Sequence, residues 1–191
     1  MGNGWASSSQ KFNVGLTSFL LIFVWKMQPW KIHTMTSFNT NKILNAPELH
    51  IAIFAFLLNF VWELLQMPLF AGFADFPYYQ TVLHCTKATF GDVVISLVAF
   101  AGACLITRSR MWINSTNISG VIAFLAIGLV VTIVFEILAT GPLNRWEYGE
   151  LMPIVPLIGV GASPVAQWVI LPLLQIWFVR RQIIGGDVAA A

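Results

Sequence analysis

Charge is what this chain lacks. Lys, Arg, Asp and Glu make up 9% of its 191 residues, against about 25% in a typical soluble domain. So few charges cannot cover a water-exposed surface, which excludes an ordinary soluble protein. The net charge is only +2, and no block of Lys and Arg exists to bind nucleic acid. No GxxxxGK[ST] occurs, nor a GxGxxG after a strand, so nothing points to a nucleotide. Cysteine is nearly absent as well. Cys85 and Cys104 form no CxxC, haem-attachment or zinc-ribbon spacing. In the topology below they fall toward opposite faces of a bilayer. That argues against a quinone-linked disulfide-forming enzyme, a common use of a small four-helix bundle.

Apolar sequence is abundant instead. The chain is 58% hydrophobic and 14% aromatic, with eight Trp, which suits a protein anchored at two membrane interfaces. A span needs about 20 mostly apolar residues, and four segments qualify or nearly do: 50–70, 90–107, 120–140 and 164–179. The predicted fold is an all-α integral membrane bundle of four transmembrane helices occupying 47–180. Ahead of it, 1–46 is an N-terminal extension with a short hydrophobic helix at 14–25, between Lys11 and Lys26. About a dozen residues is short for a span. This run reads as an interfacial or re-entrant helix, a fifth span, or part of an upstream extension before a start at Met35. Residues 181–191, ending in Gly-Gly-Asp-Val-Ala-Ala-Ala, are expected to be a disordered tail.

Cation placement orients the bundle. Lys11, Lys26, Lys31 and Lys42 precede the first span, Arg108 and Arg110 lie between the second and third, and Arg180 and Arg181 follow the fourth. With four spans these regions share one side. The other side receives only Lys87 and Arg145, with Asp75, Glu147 and Glu150. The positive-inside rule then makes both termini cytoplasmic. Two Asn-x-Ser/Thr matches, at Asn114 and Asn117, fall on that cytoplasmic side and read as coincidental.

Polar side chains inside the apolar segments carry the functional signal. The first segment presents Asn59, Glu63 and Gln66 on one helical face, and the third presents Thr132, Glu136 and Thr140. The second opens with Gly91-Asp92, with Ser96 one turn on, and His84 and Cys85 are expected in the loop before it. Arg145, Trp146 and Tyr148 fill the other outward loop, and Gln167 lies near the outer end of the fourth segment. Nearly all these groups fall in the outer third of the membrane. An acidic side chain at mid-span costs on the order of 2.5–3.5 kcal/mol, less toward the interface, so these carboxyls are expected to face inward and to be paired. The candidate catalytic residues are Glu63, Glu136, Asp92 and His84. The candidate substrate contacts are Asn59, Gln66, Thr140, Arg145, Trp146, Tyr148 and Gln167. A purely packing role for Glu63 and Glu136, tied to Gln66, Thr140 or Arg145, stays open beside the functional one.

His84 with the carboxylates invites a metal reading, but no HxxxH or ExxH pair occurs on any helix, so no metal site is assigned. The stretch 146–164 is apolar yet studded with Pro153, Pro156, Pro164, Gly159 and Gly161. Such backbone at membrane depth needs burial in protein or a cavity to line. It is expected to be a re-entrant or unwound segment forming a wall or lid of the pocket, the alternative being a surface loop on the interface. Pro172 is expected to kink the fourth helix.

The sequences Trp62-Glu63-Leu-Leu-Gln66-Met-Pro68, His84-Cys85, Gly91-Asp92, Glu136, Trp146-x-Tyr148, Met152-Pro153 and Gly159-Val-Gly161-Ala-Ser-Pro164-x-x-Gln167-Trp168 resemble a group of small, uncharacterised bacterial inner-membrane proteins. The resemblance covers about 47–180 and implies a location but no reaction. In design alone, the arrangement is similar to membrane-embedded sterol isomerases, whose bundles hold acidic residues and a His in an apolar cavity.

Three functions follow from these residues. One is a membrane-embedded enzyme or binder acting on a lipid or isoprenoid, with Glu63 and Glu136 as proton donor and acceptor and Arg145 on a head group. The second is a non-catalytic accessory or assembly subunit of a larger membrane complex. The third is a transporter or metal-handling protein, which the nearly apolar inner halves of the spans disfavour. The lipid bilayer is the one partner all three share, and the cofactor is left open.

Overall fold

Four helices hold most of the chain. A computed structural model describes residues 46–72, 76–115 and 117–189. The hydrophobic run 14–25 and Asp75 lie outside the described residues. Helix α1 is Pro47–Gln66, closed by a 3-10 turn at Met67–Leu69; α2 is Tyr78–Thr107 and α3 is Ile118–Thr140. A two-stranded antiparallel hairpin, β1 (Ile154–Val155) and β2 (Val160–Gly161), precedes α4, Ala162–Ala189. All four helices are long and apolar enough to cross a membrane. The chain is an all-α membrane bundle of four spans, each packed on its chain neighbours, with α4 closing against α1. Outward faces carry Leu57, Val61, Leu65, Val130 and Leu173, all exposed and suited to lipid.

Helix ends follow local chemistry. Pro47 sits in the first turn of α1, where its missing N–H costs nothing. Pro68 cannot donate to a carbonyl one turn back, and the α-helix tightens into the 3-10 turn there. The Asn117 side chain caps α3 by accepting from the Ser119 amide. Arg108, at φ 53°, closes α2 in the left-handed region.

Three boundaries differ from the sequence reading. Helix α2 begins at Tyr78, a full three turns before residue 90, so His84 and Cys85 lie on a helix and not in a loop. Thr86 and Thr89 return their hydroxyls to the carbonyls of Val82 and Cys85, which lets a polar stretch stay helical. Helix α4 runs on to Ala189, where a disordered tail is expected from 181. It also passes through Pro172 without ending, although that residue lacks the N–H that would bond the Trp168 carbonyl. The stretch 146–164 contains no re-entrant helix. It is an irregular loop with the short hairpin, and its backbone is stitched to the end of α1: Ala71 donates to the Glu147 carbonyl at 2.9 Å and Gly149 to the Leu69 carbonyl at 2.8 Å.

The interior has two halves. Around Ile51, Phe100, Phe124, Ile176, Val179 and Ile183 it is apolar, and Trp112 from the α2–α3 connection wedges between Phe100 and Phe124 with ring centroids 5.8 and 5.9 Å away. Toward the α1–α2 and α3–α4 connections it turns polar, with Asn59, Gln66, Thr89, Ser96, Thr132, Glu136 and Gln167 buried. Gly128 lies between these halves. A Cβ there would stand 2.2 Å from the ring of buried Trp168. A close-packed ring cannot give way by that amount. Replacing Gly128 by Ala is expected to cost about 1–3 kcal/mol, read as a lowered unfolding midpoint in detergent; an unchanged midpoint would contradict this packing.

Candidate functional site

The polar half is assembled from one face of each helix. On α1, Asn59, Glu63 and Gln66 recur at helical spacing, and Asn59 anchors itself by donating to the Ala55 carbonyl at 2.8 Å. On α2 the inward face is Cys85, Thr89, Asp92 and Ser96, on α3 Thr132 and Glu136, and on α4 Ser163 and Gln167.

Gln167 ties three of these helices together. Its Nε2 group lies 2.8 Å from Asn59 Oδ1, 3.2 Å from Glu63 Oε1 and 3.2 Å from Asp92 Oδ2. One amide with two protons faces three acceptors, two of them carboxyl oxygens. Gln66 extends the network. Its Nε2 donates to Glu63 Oε1 at 2.7 Å and to Gln167 Oε1 at 3.3 Å, while its Oε1 accepts from Ser163 Oγ at 2.8 Å and Trp62 Nε1 at 3.2 Å.

Glu136 is held from the other side. The Tyr148 hydroxyl donates to Glu136 Oε2 at 2.6 Å, and Trp146 Nε1 reaches the same oxygen at 3.4 Å. Gly161 makes room for Tyr148, since a Cβ there would lie 2.9 Å from the phenol ring. Burial and the Glu136 carboxyl push the Tyr148 phenol well above its ordinary value of 10.0. The protonated phenol is therefore the form the fold favours. Its contribution to stability is complete below pH 10 and fades only as the pH rises through the elevated folded value. Over the neutral range Tyr148 remains a donor to Glu136.

Some expected members stand outside this cluster. His84 is exposed on α2 and packs its ring on Phe76, centroids 5.3 Å apart. It was expected to bend inward from a loop. On a helix its direction is fixed about 100° away from buried Cys85. Arg145 is also exposed, and the fold uses its backbone amide, which donates to the Ala139 carbonyl at 2.7 Å and closes α3. The Thr140 hydroxyl bonds the backbone carbonyl of Glu136 at 2.8 Å, not its carboxyl. Among the described residues no three His, Cys, Asp or Glu side chains are arranged to hold a metal ion.

Sequence reasoning gave no role to Ser163 or Trp168, and placed Ser96 and Thr132 only as stripe members. Ser96 Oγ, Thr132 Oγ1 and Trp168 Nε1 are buried without a hydrogen-bond partner, the last beside Asp92 but outside bonding geometry. Ser96 and Thr132 lie one turn from Asp92 and Glu136, and Trp168 follows Gln167. A buried polar atom left unpaired costs about 1–3 kcal/mol, so each is a place where a polar ligand atom or water would bond. Burial of Ser163 and Trp168 beside the α4 start could have been found from Pro164 and Gln167, which mark a helix N-terminus with an inward amide.

Replacing Gln167 by Leu removes the shared donor from Asn59, Glu63 and Asp92. The expected loss is at least about 2 kcal/mol of stability in detergent. It should exceed the loss from Gln175→Leu, because Gln175 makes a single bond, to the Ile51 carbonyl at 2.8 Å. Equal losses would remove Gln167 from its central place. Compared with known proteins, the chain matches no family model, no curated protein and no solved structure.

Proposed function

We propose that this protein is a bacterial inner-membrane enzyme or binder acting on a lipid- or isoprenoid-type amphiphile, with Glu63, Asp92 and Glu136 as its working groups. The supporting observation is that Gln167 brings Glu63 and Asp92 to one amide, with no cationic side chain among the described residues bonded to either. The one ion pair among the described residues, Arg110 with Glu48, lies elsewhere. Carboxyls gathered without a counter-cation are free to exchange protons with a substrate.

The reaction class that fits is a proton shift. One carboxyl in its acid form gives a proton to the substrate, and a second, ionised carboxyl removes one from a neighbouring carbon, so no oxidant or reductant is required. Tyr148, held protonated, positions Glu136 for one of these roles. The unpaired hydroxyls of Ser96 and Thr132 and the Trp168 indole would take the polar atoms of the ligand. Its hydrocarbon part would lie along the apolar helices. The positive-inside reading, with both termini cytoplasmic, would open the site toward the outer face, and the sequence resemblance to small bacterial inner-membrane proteins supports that location. The network stops before the half lined by Ile51, Phe100, Phe124 and Val179, which leaves no polar path across the bundle and disfavours transport.

The test compares membrane lipids from cells that have the protein, lack it, or carry Glu63→Gln at equal abundance. The reading expects one lipid or isoprenoid species to accumulate alike without the protein and with Glu63→Gln. A wild-type lipid profile in the Glu63→Gln cells would contradict it. A stoichiometric protein partner in mild detergent, with no lipid change, would instead establish an accessory subunit.

A further inference from the structure

A cavity of about 200 Å³ lies at the opposite end of the bundle, where the α2–α3 connection meets α4. Its walls are Trp112, Ile113, Ile118, Val121 and Ile176, and Arg180 stands at its edge. Trp112 and Ile113 are each 1% exposed and form a fixed floor, because Trp112 is clamped between Phe100 and Phe124. Ile118, at the first turn of α3, is 71% exposed and opens the cavity toward the surrounding lipid.

The arginines at this end are not equivalent. Arg110 is matched by Glu48 through two bonds of 2.6 Å. Arg181 lies over the Trp177 ring, 4.9 Å from its centroid. Arg180 is half-buried and, among the described residues, has neither an ion pair nor a hydrogen bond. Among the described residues no acidic side chain lines the cavity to balance it. The Ser115 hydroxyl, also on the wall, already donates to the Trp112 carbonyl at 3.0 Å, so Arg180 is the charged donor left for a ligand.

We infer that this cavity is a binding site for a phospholipid with an anionic head group. The phosphate sits on Arg180 and the upper part of one acyl chain lies against Trp112, Val121 and Ile176. Size supports a lipid over an enclosed metabolite. Sites that engulf a whole small molecule run to about 300–1,000 Å³, whereas this one holds only part of a ligand whose remainder stays in the bilayer. A guanidinium gives two parallel donors to a phosphate oxygen pair, and basic pockets between spanning helices at a membrane boundary suit anionic head groups. The site is independent of the carboxyl cluster and of which side of the membrane it faces.

The full-length protein in neutral detergent is titrated with dioleoyl phosphatidylglycerol, with dioleoyl phosphatidylcholine, or with inorganic phosphate, and bound lipid and unfolding midpoint are read by native mass spectrometry and thermal melting. Phosphatidylglycerol is expected to bind and raise the midpoint, with about fivefold preference over phosphatidylcholine, and phosphate alone is expected to do neither. Arg180→Gln should abolish the preference, while Arg181→Gln keeps it. Val121→Trp, which fills the cavity and leaves every arginine in place, should lower the affinity for phosphatidylglycerol, and this arm decides the matter if Arg180→Gln does not fold. An unchanged preference in Arg180→Gln, or an unchanged affinity for phosphatidylglycerol in Val121→Trp, would overturn the site. So would a midpoint shift by inorganic phosphate equal to that of the lipid, which would mark a simple anion site.

Discussion

One side-chain amide organises the polar half of this membrane bundle. Gln167 Nε2 stands within hydrogen-bond distance of Asn59, Glu63 and Asp92, so a single residue of α4 fixes the positions of α1 and α2. In a bilayer the alternative partner, water, is scarce, and each of those acceptors would be expensive to leave unmet. The remaining contacts extend this constraint. Gln66 bonds both Glu63 and Gln167 and is itself held by Ser163 and Trp62. The result is a set of carboxyls held by amides and hydroxyls, with no cation to neutralise them.

The two halves of the interior divide the work of the protein. The apolar half is packed by Phe100, Trp112, Phe124 and their neighbours. Its buried side-chain amide, Gln175, is met by the Ile51 carbonyl, so this half forms a base on which the polar half can hold groups that packing alone would not select. Glu136 shows how the loop contributes. Its partners Tyr148 and Trp146 come from a segment without helix, held in place by backbone bonds to Leu69 and Ala71. Gly161 leaves the space in which Tyr148 sits. The loop is thereby part of the site's wall, in the unwound rather than the re-entrant of the two forms its composition suggests.

Much of this was legible in the sequence because the bilayer enforces it. Four apolar segments gave four spans, and the spacing of Asn59, Glu63 and Gln66 put them on one face of α1, as Thr132 and Glu136 are on α3. Inward-facing carboxyls from separate helices follow from the cost of exposing them to lipid. What failed depended on a helix boundary. Thr86, Lys87 and Thr89 look like a loop, but two threonines satisfy their hydroxyls against the helix itself. That shift carried His84 out of the cluster. Arg145, a candidate head-group contact, is exposed, and its backbone amide closes α3. The hub role of Gln167 was beyond the pattern, since a lone amide near a helix start gives no hint of three partners on two other helices.

The convergence of acidic groups on Gln167 is tested most directly by a thermodynamic cycle with Gln167→Leu, Asp92→Leu and the double variant, each unfolded reversibly in the same detergent. Side chains in direct contact within one network are expected to show a coupling of about 0.5–3 kcal/mol, so the double variant should be less perturbed than the sum of the singles. Strict additivity, within about 0.3–0.5 kcal/mol, would show that Asp92 and Gln167 do not meet and would dissolve the cluster on which the proposed chemistry stands.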